Sequence, residues 1–225
     1  YAERNADTVL PIASLTKLLT ALVANETIHY DRILSITGDD REQTEGTPGS
    51  LASGASFNAE ELIYPLLMQS NNTVSYTLAR YFGSENFMRW MNDKAKSIGM
   101  WHTALEDPSG ISENNVSTAS DLFLLMRYIH DSQSFILNVS REPEKKIHSV
   151  DGRPYTIKNF NVFFENEQFL GGKTGYTDAA RQTMTSLFEV PINNATSTIA
   201  IIVLGSTDRK ADVLTLLNWF TKAAQ

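Results

Sequence analysis

At 225 residues, 42% hydrophobic and without cysteine, the chain is long enough for one sizeable globular domain, 1–225, and excludes disulfides, thiolate metal sites and a cysteine nucleophile. Its formal charge of −7 excludes a general attraction for nucleic acid or an anionic membrane. The longest apolar runs, such as Ile199 to Leu204, are far too short to span a bilayer. No signal peptide is visible at Tyr1, so the chain reads as cytoplasmic or as a mature form whose leader has been removed. His29, His102, His130 and His148 lie far apart and form no H-E-x-x-H, so they read as surface or packing residues, with no metal site.

Helical signals fill the first two thirds. Leu15 to Ala24 is mostly apolar and rich in helix formers, which predicts a buried helix beginning near Ser14. Asn58 followed by Glu61 resembles a capping box and opens a helix toward Met68. Thr73 to Phe82 reads as a helix ended by Gly83. Ser84 starts another, with Phe87, Met88, Met91 and Ala95 on its apolar face, ending near Gly99. Thr118 with Asp121 caps a helix through Ile129.

The pattern then changes. Lys146 to Val150 and Pro154 to Ile157 flank Asp151-Gly152, a hairpin signal. Gln182 to Val190 and Ser197 to Leu204 read as strands joined by a Pro191-Ile192-Asn193-Asn194 turn. The second is nearly all apolar or β-branched, which predicts a central strand covered on both faces. Asp208 to Ala224 reads as a closing amphipathic helix. The expected class is therefore α+β: a mostly helical lobe over about 14–131, then an antiparallel sheet with a terminal helix over about 145–225. A cleft between such lobes is a common ligand site.

Three short motifs follow one another along this framework: Ser14-Leu15-Thr16-Lys17, Ser70-Asn71-Asn72 and Lys173-Thr174-Gly175. On a helix, Ser14 and Lys17 share a face, and unpaired N–H groups of a first turn favour charge developing at Ser14. Lys17, flanked by Leu15, Leu18 and Leu19, is placed for desolvation, which lowers an amine's pKa and lets it take the serine proton. Ser70-Asn71-Asn72 sits between two predicted helices; its hydroxyl can relay a proton to a leaving amine, and an Asn amide can hold Lys17 and a substrate carbonyl. A polar inter-helix turn is the blander account of the same residues. Gly172-Lys173-Thr174 is not a phosphate loop, because that motif needs Gly where Glu167 stands. An edge strand beside a cleft suits it better, with Gly175 allowing close approach of substrate backbone and Lys173 and Thr174 facing a carboxylate.

The trio resembles the S-x-x-K, S-D-N and K-T-G set of penicillin-binding proteins and class A β-lactamases. Further stretches narrow it: Pro11-Ile12-Ala13 before Ser14, Met91-Asn92 with Lys94-Ala95, Asp107-Pro108-Ser109-Gly110, Ser117-Thr118-Ala119 with Asp121-Leu122, and Lys173 through Ala180. These resemble the D-alanyl-D-alanine carboxypeptidases over nearly the whole chain. The resemblance implies a β-lactamase/transpeptidase-like fold and an extracytoplasmic hydrolase of peptidoglycan stem peptides ending in D-Ala-D-Ala. It implies acylation of Ser14 by β-lactam antibiotics, and no cofactor. By that resemblance Lys17 is the base for acylation, and Ser70 and Asn72 assist proton transfer and position substrate. The backbone N–H groups of Ser14 and Tyr176 form the oxyanion hole, and Thr174 and Arg209 hold the terminal carboxylate. Lys158-Asn159 stands where many members have Arg-Asn, which keeps a cation but loses its bidentate fork.

The chain also departs from the family. Only thirteen residues precede Ser14, too few for the strand pair that normally comes first: the chain was trimmed or cleaved, or the sheet lacks an edge. Arg181 replaces a small residue after Ala179-Ala180, and Asn71 stands where Gly or Asp is usual. Three other functions compete: a D,D-endopeptidase with the same chemistry, a class A-like β-lactamase using Glu106, and a non-catalytic cell-wall binding module.

Overall fold

A computed structural model describes residues 2–44, 51–192 and 195–223. Strand β1 (Leu10–Pro11) leads through a 3-10 turn, Ala13–Leu15, into helix α1 (Thr16–Thr27). Then come β2 (Ile33–Ser35), α2 (Gly38–Glu42), β3 (Ser56–Asn58), α3 (Ala59–Met68), α4 (Asn72–Tyr81) and α5 (Ser84–Ser97). Next follow β4 (Val116–Ser117), α6 (Ala119–Ser132) and α7 (Ser134–Arg141). The chain ends with β5 (Glu144–His148), β6 (Pro154–Lys158), β7 (Phe169–Thr177), β8 (Arg181–Ile192), β9 (Ala195–Ser206) and α8 (Arg209–Ala223).

Every residue of α1 from Thr16 to Ala24 is buried, as its nearly unbroken apolar sequence requires. It is the hub of the helical lobe and packs against α3, α4 and α5. The antiparallel sheet runs β7-β8-β9. On one face Phe163, Phe169, Met184, Phe188, Ile199 and Ile201 meet Val213, Leu217 and Phe220 of α8. On the other, Leu187 with Ala200, Ile202 and Leu204 joins the core of the helical lobe. The α+β expectation holds. Among the described residues no helix is long and apolar enough to cross a membrane.

Four details differ from the sequence reading. Strand β9 is covered on both faces but is not central; β8 is, with β9 at the other edge of the three described strands. Apolar composition reports which faces are covered and is silent on whether a strand's hydrogen-bonding edge is paired. Asn58 does stand at the N-cap of α3, but makes no side-chain cap, and Glu61 instead accepts from the His148 N–H at 3.0 Å. The capping box belongs to α2, where Thr37 and Asp40 each bond the other's backbone N–H. Finally, β5 starts and stops two residues earlier than expected, because Ser149 leaves the ladder to bond Asp151 and the Arg153 carbonyl. The expected Pro191–Asn194 turn falls partly outside the described residues.

Arg181, at the start of β8, takes a φ of 55°, a left-handed conformation that favours glycine. The family's small residue at this position therefore has a backbone reason. Arg181→Gly is expected to raise stability by about 0.5 kcal/mol, the relieved strain being partly offset by glycine's freer unfolded state. Urea unfolding checks it; a lower midpoint at unchanged slope would show that the arginine makes a compensating interaction.

Candidate active site

Ser14 is held by the 3-10 turn that precedes α1, two residues before the helix proper begins at Thr16. Ile12, Ala13 and Leu15 around it are buried while Ser14 itself is half-exposed, so the turn presents one hydroxyl at an otherwise closed surface. Ala13 has a φ of 49°, so strain sits directly beside the serine. One helical turn on, Lys17 is 0% exposed, and its Nζ lies 2.9 Å from Ser14 Oγ. Burial brings its amine down from 10.5 to about 7, against a weaker upward pull from Asp107. A lysine in that state is half neutral near pH 7 and can accept a proton, as a solvated lysine cannot.

The second motif arrives at the start of α4. Asn71 caps that helix, its Oδ1 accepting from the Val74 N–H at 3.1 Å, while its buried Nδ2 has no hydrogen-bond partner among the described residues. Asn72 is the first helical residue and is half-buried. Ser70, with a φ of 55°, is again in the left-handed region. Its hydroxyl accepts from Lys173 Nζ at 2.9 Å, which joins the second motif to the third across 103 residues of sequence.

The third motif lies on β7, an edge strand as expected. Lys173 is 2% exposed and donates also to the Thr174 carbonyl at 2.6 Å. Burial first, then the charges of Lys17 and Arg209, push its pKa well below 10.5. Gly175 brings β7 against the serine: a Cβ there would lie 2.5 Å from Thr183 Oγ1 and 2.9 Å from the Ser14 nitrogen. Thr174 is half-buried, and Tyr176 is exposed with its hydroxyl donating to Asp178 at 3.0 Å. Arg209, at the first turn of α8, reaches over to donate from its guanidinium to the Gly175 carbonyl at 2.7 Å. Burial lowers its pKa.

Ser14, Lys17, Ser70, Lys173, Gly175 and Arg209 are thus linked around one point, with Asn72, Thr174 and Tyr176 on adjoining backbone. Among the described residues Lys158 makes no hydrogen bond to this group; it is exposed at the end of β6, paired in register with Glu144. Its neighbour Asn159 is buried and serves the backbone, donating to the Ser140 and Glu142 carbonyls.

The sequence reading missed the turn at residues 106–112 as part of the site. The Ser109 carbonyl accepts from Lys17 Nζ at 2.5 Å, and the Pro108 carbonyl accepts from Thr20 Oγ1 at 2.6 Å. Glu106 points elsewhere: exposed, it accepts from Ser112 Oγ and Asn114 Nδ2. The signal in the sequence was Asp107-Pro108-Ser109-Gly110, a turn former of the Asx type.

Comparison with known proteins gives the same direction. The family described as D-alanyl-D-alanine carboxypeptidase matches residues 1–207. A D-alanyl-D-alanine endopeptidase of Pseudomonas aeruginosa is 30% identical over 96% of this chain and 71% of its own. A solved D-alanyl-D-alanine carboxypeptidase from Mycobacterium tuberculosis superposes with a TM-score of 0.79 at 29% identity, covering 90% of this chain and 76% of that one. A Streptomyces DD-transpeptidase shares the fold, with a TM-score of 0.86 at 24% identity over 97% of this chain and 90% of its own.

Proposed function

The chain belongs to the D-alanyl-D-alanine carboxypeptidase family, and from that premise we propose that it is a serine-type D-Ala-D-Ala carboxypeptidase acting on peptidoglycan stem peptides outside the cytoplasmic membrane. The observation that carries this reading is the buried Lys17 amine 2.9 Å from Ser14 Oγ, with a pKa near 7.

In this reading Lys17 takes the Ser14 proton as Oγ attacks the carbonyl between two D-alanines. The oxyanion is received by the backbone N–H groups of Ser14 and Tyr176. The close approach at Gly175 supports that pairing, since it sets β7 directly beside the Ser14 nitrogen. Ser70, hydrogen-bonded to Lys173, relays the proton held by Lys17 to the departing amine, so that lysine and serine return to their starting states, and Asn72 helps position the substrate. Lys173, Thr174 and Arg209 attract and fix the substrate's terminal carboxylate; burial opposes the charged forms of Lys173 and Arg209, and a carboxylate beside them favours both. Water then hydrolyses the acyl-enzyme.

A second reading, cleavage of cross-links between stem peptides, is favoured by the identity to the Pseudomonas aeruginosa endopeptidase. Both reactions use one acyl-enzyme. The β-lactamase reading is weakened by the placement of Glu106 on Ser112 and Asn114. The test is intact-mass measurement after mixing with a penicillin, beside product analysis on a pentapeptide and on a cross-linked dimer. The expected results are a lasting adduct, absent in Ser14→Ala, and free D-alanine from the pentapeptide. Dimer cleavage without D-alanine release would make the enzyme an endopeptidase. Absence of adduct and of both products would overturn the enzyme reading.

A further inference from the structure

A nucleophile and a base form a working pair only when a third group orients the base. Beside Lys17 a backbone carbonyl, rather than a carboxylate side chain, takes the hydrogen bond that can do this. The geometry points to the 106–112 turn, built on the Asp107 carboxylate, as the orienting member of the group, with Asp107 a positioning residue for Lys17.

A neutral lysine amine has two N–H groups and one lone pair. Unless an N–H is fixed, the lone pair is not directed at Ser14. The Ser109 carbonyl accepts from Lys17 Nζ at 2.5 Å, a contact spanning 92 residues of sequence. That oxygen is placed by Asp107. Its Oδ1 accepts from the Ser109 N–H at 2.6 Å, from Ser109 Oγ at 2.6 Å and from the Gly110 N–H at 2.7 Å. Its Oδ2 accepts from the Ser112 N–H at 2.7 Å. One carboxylate thereby ties down the backbone on both sides of the Ser109 carbonyl.

The turn is in turn clamped to the nucleophile's own turn. Asn115 Nδ2 donates to Thr16 Oγ1 at 3.1 Å and to the Asp107 carbonyl at 2.8 Å, while its Oδ1 accepts from the Glu106 and Asp107 N–H groups. The Ile12 N–H donates to the Asn115 carbonyl at 2.9 Å. Serine, lysine and carbonyl are therefore mounted on one rigid unit. This is more hydrogen bonding than a surface turn needs, and it converges on the one oxygen that touches the base.

Asp107 has a second effect. It is the charge that raises the Lys17 pKa against burial. The other cations near Lys17 are Lys173 on β7 and, beyond it, Arg209 on α8. Asp107 is the acidic counterweight, close enough to keep the base poised near neutrality and occupied by its own turn so that it forms no ion pair with the lysine.

The inference rests on Lys17 acting as the base, and its test separates the two claims. Acylation of the full chain by a labelled penicillin is followed for rate constant, amplitude and pH dependence. In Asp107→Asn the rate constant is expected to fall about 10–100-fold, because an amide NH₂ would face the Ser112 N–H and release the turn. Its acid limb is expected to move down by about one pH unit, because the charge that raises Lys17 is gone. Ser109→Gly keeps the charge and loosens the turn, so the rate constant should fall with the limb in place; it also carries the test if Asp107→Asn does not fold. Wild-type rate constants in both variants, or a loss of amplitude with rate constant and limb unchanged, would overturn the positioning role. A wild-type chain that takes up no penicillin would instead overturn the base assignment itself.

Discussion

Replacing Lys17 by methionine is expected to slow acylation of Ser14 by about 10³–10⁴-fold and, in the same molecule, to raise stability. The two effects have one origin. Lys17 is fully buried, and burial brings its pKa from 10.5 to about 7. The unfolded chain therefore holds this proton more tightly than the folded one. Protonation favours unfolding, so the penalty is fully present below pH 7, declines as pH rises from about 7 to 10.5, and vanishes above. At pH 7 it is on the order of 4 kcal/mol. Methionine fills similar space among apolar neighbours without that penalty, so a gain of about 1–3 kcal/mol is expected after the lost contacts to Ser14 and the Ser109 carbonyl. Lys173 should become easier to protonate, since the Lys17 charge is one of the influences holding it down. Denaturant titration of both proteins at pH 6, 8 and 10 checks the stability claim: the advantage of Lys17→Met should shrink as pH rises. Stopped-flow acylation checks the other, with the wild-type rate rising through about pH 7 and the residual rate of the variant lacking that limb. A variant that is less stable at every pH would mean that the lysine is accommodated as an ordinary packed residue.

That coupling explains what could and could not be read from the chain. Ser14 and Lys17 were legible because their relation is local: three residues on a helical path, with leucines around the amine. Ser70 was legible as a break between two helical patterns, and Lys173 through Gly175 as an edge strand; the glycine was read as leaving room for substrate backbone, whereas the room it leaves is taken by Thr183 Oγ1 and the Ser14 nitrogen. The strain at Ala13 and Ser70 was not legible, since neither residue type announces a positive φ. Nor was the role of the 106–112 turn: the atom that touches Lys17 is a backbone carbonyl, which every residue carries. Arg209 came only from family spacing, and the structure brings it to the Gly175 carbonyl. Lys158 came the same way; it is exposed at the end of its hairpin, and among the described residues its side chain makes no hydrogen bond to the group. The misplaced capping box at Asn58 shows the same limit from another side: Glu61 has the right spacing, but a tertiary partner, the His148 N–H, takes its carboxylate.

Gly110→Ala is expected to be the most damaging single-methyl change near the site, in stability and activity together. Gly110 has a φ of 83°, and a Cβ there would run into the backbone carbonyl of Ala13 and lie 2.9 Å from Thr16 Oγ1. Neither neighbour can yield cheaply. Ala13 is already at a positive φ and immediately precedes Ser14, and Thr16 Oγ1 accepts from Asn115, which ties the two turns together. The conformational term alone is separable, because Gly152 in the β5–β6 connection has nearly the same φ, 84°, and a Cβ added there would meet no atom within 4 Å. Gly152→Ala should therefore cost about 1 kcal/mol, the left-handed penalty by itself. Gly110→Ala adds overpacking against fixed backbone and should cost about 3–4 kcal/mol. Any protein that still folds should acylate about 100-fold more slowly, because relief of the clash moves the turn that carries Ser14 away from Lys17 and from β7. Urea unfolding of the two variants side by side, with penicillin acylation measured on the folded fraction, checks both halves. Equal stabilities for the two alanine variants would show that the 106–112 turn rides loosely over Ala13. In that case it could not hold the Ser109 carbonyl firmly enough to direct the amine at Ser14.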